Sequence, residues 1–191
     1  MCIGASLTEG YYKGGYKFHP YTDYLQKLID EVRPGEYELH NAGVSGETVA
    51  EIGQRLGELL RLAAERSQPY HFVIVLAGTN DLAKPTGDIF EALLQLYNQC
   101  LAHGARVVAV TIPESYFKSE QYVRRREETN QKILSHARNH PSHFLCVDLC
   151  RAIPYEDFSK PGSLWDDHLH FNPQGYNQMA LTIFQSLHPW L

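Results

Sequence analysis

The chain has 191 residues, 43% of them hydrophobic and 20% charged, and its 17 Lys and Arg against 22 Asp and Glu leave a net charge of −5. That is enough chain for one substantial core and short for two, so a single domain over 1–191 is expected, and the apolar content is too high for disorder. The longest apolar run, Phe72 to Ala77, is strand-sized and far from the roughly 20 residues of a membrane span.

The acidic balance argues against a nucleic-acid partner, because phosphate neutralisation needs clustered Lys and Arg. The one basic run, Arg124-Arg125-Arg126, is answered at once by Glu127 and Glu128 and reads as a solvated helix face. Cys2, Cys100, Cys146 and Cys150 sit in or beside apolar segments without the paired spacing of a zinc site, which points to buried free thiols in a reducing compartment. Cys146 and Cys150, four apart on one expected strand, would face the same side. Met1 is followed almost directly by a motif instead of a basic and apolar leader, so a cytoplasmic location is expected. The first strand is very short, however, which leaves open a longer natural N-terminus.

In chain order, strands are expected at Cys2 to Ala5, Tyr37 to Val44, His71 to Gly78, Ala105 to Pro113 and His143 to Leu149. Val73-Ile74-Val75-Leu76 and Val107-Val108-Ala109-Val110 lack polar alternation, as in strands covered on both faces. Helices are expected between them. Tyr21, Tyr24, Leu25, Leu28, Ile29 and Val32 share one face, as do Val49, Ile52, Leu56, Leu59, Leu60 and Ala63. Phe90 to Leu101 repeats the pattern and stops at His103-Gly104; a fourth helix covers Ser119 to Asn139. The last takes Asn172 as N-cap and Pro173 at its first position. Strict alternation implies a parallel sheet with helices on both faces, and ligands of such sheets bind at the carboxyl ends of the strands.

The strand exits carry polar residues of complementary chemistry. Gly4-Ala5-Ser6-Leu7-Thr8-Glu9-Gly10 places a serine on a tight turn after the first strand. Asn41-Ala42-Gly43 follows the second, where a glycine lets another group approach and leaves its N–H free. Gly78-Thr79-Asn80-Asp81 follows the third and offers an amide that could donate to an oxyanion. Asp167 and His170, three apart before the last helix, can bring a carboxylate to an imidazole and hold its tautomer. Singly, each has a plainer explanation: a turn serine, a turn glycine, a helix cap, a metal ligand or loop residue. Together they supply a nucleophile, two oxyanion donors, a base and its orienting acid. His168 and Asp166 have the wrong offsets and read as rim or loop residues; Asp81 reads as a brace for its loop.

These blocks resemble the SGNH hydrolases, a branch of the GDSL esterase/lipase superfamily: Gly4-x-Ser6-Leu7-Thr8 with Gly10, then Gly43, then Gly78-x-Asn80-Asp81, then Asp167-x-x-His170 with Asn172-Pro173. The resemblance implies a three-layer α/β/α fold with a flavodoxin-like five-stranded parallel sheet in the order 2-1-3-4-5. It also implies ester hydrolysis with no metal or organic cofactor. On that resemblance Ser6 is the nucleophile, His170 the base and Asp167 its orienter, with Ser6 N–H, Gly43 N–H and the Asn80 side chain as oxyanion hole. One position departs from the pattern: the family usually has aspartate before the serine, and here it is Ala5. An active hydrolase with reduced turnover is therefore expected, and a weakened or silent protein that still binds ligand is the alternative.

The substrate is expected to be a small-molecule ester, small or short in its acyl part, because the chain has no large lid insertion. Aryl ester, lysophospholipid and acetylated sugar all remain open. Tyr11, Tyr12 and Tyr16 crowd the segment after the serine and could line its pocket, or could simply pin a loop. A flavodoxin-like binding module is disfavoured because no Gly-rich phosphate loop follows a strand. Oligomeric state is not legible.

Overall fold

A computed structural model describes residues 1–85 and 87–191. Five parallel strands form the central sheet: β1 (Cys2–Gly4), β2 (Asn41–Gly43), β3 (Phe72–Leu76), β4 (Arg106–Val110) and β5 (Phe144–Val147). Their spatial order is β2-β1-β3-β4-β5, the expected 2-1-3-4-5. Cys2 pairs with Asn41 on one side and Ile74 on the other, so the strand that delivers Ser6 sits inside the sheet.

Five principal helices cover the two faces: α1 (Tyr21–Val32), α2 (Val49–Glu65), α3 (Ile89–Ala102), α4 (Glu120–Asn139) and α5 (Pro173–Leu187). Successive strand residues point to opposite faces. Val73, Val75, Val107 and Ala109 therefore pack under α2, α3 and α4, against Ile52, Leu56, Leu93 and Ile133. Ile74, Leu76, Val108 and Val110 pack under α1 and α5, against Leu25, Ile29, Met179 and Ile183. Both faces are apolar because both are covered, which is why these runs lack alternation. Each fully buried Leu or Ile contributes roughly 1.5–3 kcal/mol by leaving water.

The helix starts follow their side chains. Thr48 and Glu51 form a reciprocal capping box for α2, Asp88 accepts from Phe90 and Glu91 N–H, and Ser119 accepts from Tyr122 N–H. Asn172 accepts from Gly175 N–H at 2.9 Å with Pro173 at the first helical position. No helix among the described residues is long and apolar enough to cross a membrane.

Three local expectations need correction. The second strand is Asn41–Gly43, shorter than 37–44, because Gln26 of α1 takes over the preceding backbone: its side chain donates to Tyr37 O and accepts from Leu39 N–H. The aromatic segment after the serine is a hairpin, Tyr11–Tyr12 antiparallel to Lys17–Phe18, turned by Gly14 and Gly15 at positive φ. Cys146 lies in β5 but Cys150 lies in a short helix, Leu149–Ala152, so the two do not share a strand; all four thiols are free, and burial raises Cys100 and Cys146 to about 12.

Candidate active site

The chain leaves β1 straight into a four-residue helix, Ser6–Glu9, which ends at Gly10 with φ +86°. Ala5 O accepts from both Thr8 and Glu9 N–H at 3.0 Å. Ser6 therefore stands at the first helical position with its own N–H unbonded among the described residues. Gly43 makes this packing possible. A Cβ there would lie 2.2 Å from Glu9 N and 2.6 Å from Thr8 C, so the serine helix rests on the bare backbone of β2.

Ser6 Oγ lies 3.0 Å from His170 Nε2, and His170 Nδ1 lies 2.9 Å from Asp167 Oδ2. A carboxylate only accepts, so Nδ1 carries the ring proton and Nε2 faces the hydroxyl as acceptor. Asp167 Oδ1 meanwhile accepts from Leu169 and His170 N–H, both at 2.7 Å. Burial alone would raise this carboxyl, but the His170 ring and the two backbone donors outweigh it and hold it at about 2. It stays ionised at any pH where the imidazole can act. Hydroxyl, imidazole and carboxylate in series can move a proton off an alcohol and stabilise the resulting imidazolium.

Two aromatic contacts complete the histidine's surroundings. The Tyr11 ring lies over the His170 ring at 4.4 Å between centroids, tilted by 38°, and Tyr11 O accepts from Tyr176 Oη at 2.7 Å. Lys13 N–H donates to Asp166 Oδ2 at 2.7 Å, tying the hairpin to the Asp-His loop. Tyr11 thus packs on the imidazole, Tyr12 packs against the core, and the Tyr16 ring is 92% exposed on the hairpin. The His168 ring lies between those of Tyr116 and Phe158.

The donors around the serine differ in one respect from expectation. Gly43 N–H is not free; it donates to Asn41 Oδ1 at 2.9 Å, while Asn41 Nδ2 donates to Thr8 O at 2.8 Å. Its part is steric. Sequence reasoning missed the turn three residues on, where Val44 O accepts from Glu47 N–H and Gly46 has φ +85°, a conformation that favours glycine. Gly46 N–H has no acceptor among the described residues. The turn is tied to the serine helix, since Ser45 N–H donates to Glu9 Oε2 at 3.0 Å, and to the third strand exit, since Asn80 Nδ2 donates to Glu47 O at 2.8 Å. Of the two amide hydrogens of Asn80, one is held there. Gly46 inside Ser-Gly-Glu-Thr was the available signal, overlooked because Gly43 stood nearer the strand end. Asp81 is buried and accepts from Val49 N–H at 3.1 Å, bracing this loop against the start of α2; burial raises its carboxyl.

A cavity of about 970 Å³ adjoins this cluster, lined by Asn80, Leu82, Tyr116, Phe117 and Leu169 among others, with Lys84 and Lys118 also in its wall.

The fold and site define a three-layer α/β/α protein with a Ser-His-Asp series at the strand ends. The GDSL-like Lipase/Acylhydrolase family profile matches residues 2–178, and the chain belongs to that family. Among solved structures it is similar to a lipase/acylhydrolase from Enterococcus faecalis, with 21% identity, a TM-score of 0.73, and coverage of 100% of this chain and 95% of the other. The esterase EstA from a Pseudoalteromonas species is 20% identical with a TM-score of 0.72, over 99% and 96% of the two chains. An acetylxylan esterase from Geobacillus stearothermophilus is 19% identical with a TM-score of 0.68, over 97% and 92%. No functionally curated protein is similar enough to match.

Proposed function

We propose that the protein is a serine esterase that hydrolyses carboxylic esters through an acyl-enzyme. The observation that carries this reading is the hydrogen-bonded series Ser6 Oγ, His170 Nε2 at 3.0 Å, His170 Nδ1 and Asp167 Oδ2 at 2.9 Å. Ser6 Oγ attacks the ester carbonyl as His170 Nε2 takes its proton, and Asp167 holds the imidazolium. The tetrahedral oxyanion is stabilised by the Ser6 N–H, the second Asn80 amide hydrogen and, in place of Gly43, the Gly46 N–H. His170 then protonates the departing alcohol. Water, deprotonated by the same imidazole, attacks the acyl-enzyme carbonyl, and Ser6 recovers its proton as the acid leaves.

The family supports hydrolysis, and the similar structures include two named as esterases. For the substrate, the aromatic and aliphatic wall beside Asn80 favours an apolar group on the ester. Hydrolysis of p-nitrophenyl acetate, abolished in Ser6→Ala, tests the chemistry; a serine-directed organophosphonate should label Ser6 and no other residue. Label on another residue, or full turnover in Ser6→Ala, refutes the assignment. A series from acetate to octanoate tests the acyl range. The second reading, ligand binding without turnover, rests on Ala5, which offers no side-chain cap to the serine helix. Ester turnover dependent on Ser6 excludes it.

A further inference from the structure

Arg55 lies about two turns into α2, yet its guanidinium reaches back past the start of the helix to three separate parts of the site. Nη1 donates to Ala42 O at 2.8 Å and Nη2 to Gly4 O at 3.3 Å. Nε donates to the two Glu47 carboxylate oxygens at 3.0 and 3.1 Å, and Nη2 also pairs with Glu47 Oε2. The pair is largely removed from water, with side-chain exposures of 23% and 17%.

The acceptors have a common meaning. Gly4 is the last residue of β1, two before Ser6. Ala42 precedes the glycine on which the serine helix rests. Glu47 follows Gly46, and its carbonyl holds the Asn80 amide.

We propose that Arg55 and Glu47 act as a clamp, with Arg55 a positioning residue that fixes the separation between the Ser6 turn and the donors at Gly46 and Asn80. This rests on the esterase reading and adds to it a part of the machinery that touches neither substrate nor reacting atoms. A planar guanidinium can satisfy acceptors in three fixed directions at once, whereas a lysine ammonium is a single point charge on a flexible stem. With one partner of this largely buried pair removed, the other charge is left without compensation and the Gly46 turn loses its tie to α2. A donor displaced by about 1 Å lowers turnover about a hundred-fold while leaving ground-state binding largely intact.

The test is a double-mutant cycle on p-nitrophenyl acetate. Arg55→Lys should lower kcat about ten- to hundred-fold with KM changed by no more than about two-fold, and Asn80→Ala should do the same. If Arg55 acts through the turn that holds Asn80, the double variant falls by clearly less than the product of the two single losses, because the clamp's share in placing Asn80 is already gone while its share in placing Gly46 remains. Arg61→Gln, which breaks an exposed pair with Glu65 on the same helix, should leave kcat unchanged. Multiplicative losses in the double variant overturn the proposal, as does a loss confined to KM or a fully active Arg55→Lys. Thermal unfolding is followed for each protein. Should Arg55→Lys fail to fold, the isosteric Glu47→Gln replaces it in the cycle with the same expectations. Full turnover in Ser6→Ala would instead strike down the esterase reading, so the two failures are distinguishable.

Discussion

Replacing Asp167 by Asn isolates the tautomer of His170 from everything else this carboxylate does. Oδ1 accepts two backbone N–H groups at 2.7 Å, and an amide oxygen can keep both. The amide nitrogen must then occupy the Oδ2 position, 2.9 Å from His170 Nδ1. An N–H donor there requires Nδ1 to be unprotonated, which moves the ring proton to Nε2. The ring would then present a donor to Ser6 Oγ, 3.0 Å away, and could not accept its proton. In serine protease triads the corresponding exchange lowers kcat by about 10⁴, or about 5.5 kcal/mol at the barrier. The loop keeps its two backbone bonds, so the melting temperature should fall by no more than the about 2–4 °C that matches the carboxylate's own contribution of about 1 kcal/mol. Steady-state hydrolysis of p-nitrophenyl acetate reads the first effect, and nitrogen NMR of the imidazole reads the tautomer. A fall in kcat of less than ten-fold with Nε2 shown to be protonated would refute the reasoning (a ten-fold change being about 1.4 kcal/mol).

Ala5→Asp supplies a cap for the serine helix, whose Leu7 N–H has no acceptor among the described residues; we expect about 1 kcal/mol of stability and a melting point raised by about 2–4 °C. Turnover should rise in the same variant, and no gain in either quantity would show the position to be idle. Gly43→Ala forces a methyl against the Glu9 and Thr8 backbone and should cost about 1–3 kcal/mol in a denaturant titration, along with most of the activity. Tyr11→Phe should keep activity and Tyr11→Leu should lose part of it in kcat, since the tilted ring packed on His170 needs its face and not its hydroxyl. For pH, the Asp167 carboxyl is depressed from 3.8 to about 2 in the folded protein. Its contribution is present above pH 4 and disappears as pH falls from about 4 to 2; with the side chain 36% exposed, solvent screening reduces it to about 1 kcal/mol, measurable by unfolding at pH 5 and pH 2.5.

Much of this arrangement was legible in the sequence, for identifiable reasons. The buried strands announce themselves because both sheet faces are covered, and α5 because Asn172-Pro173 combines a cap with a residue suited to the first helical position. The members of the hydrogen-bonded series, Ser6, His170 and Asp167, could be singled out because residue type and short spacing mark them. What escaped was decided by contacts between distant segments. The second strand loses Tyr37 and Leu39 to a single side chain, Gln26, whose amide imitates a neighbouring strand. Whether Gly43 or Gly46 offers a free N–H depends on where the Asn41 side chain turns, which no local pattern encodes. Arg55 looks like one more charged position on an amphipathic helix until its partners are known.

Ser6 and His170 are 164 positions apart, so the proposed chemistry needs the segment that follows β1 docked against the loop that precedes α5. During refolding, catalysis should therefore return with α5 and lag behind any probe of the α2–α4 face of the sheet. On the esterase reading, the return of turnover reports the docking of these two segments, and a protease nick between α4 and α5 that frees the segment carrying His170 should abolish it.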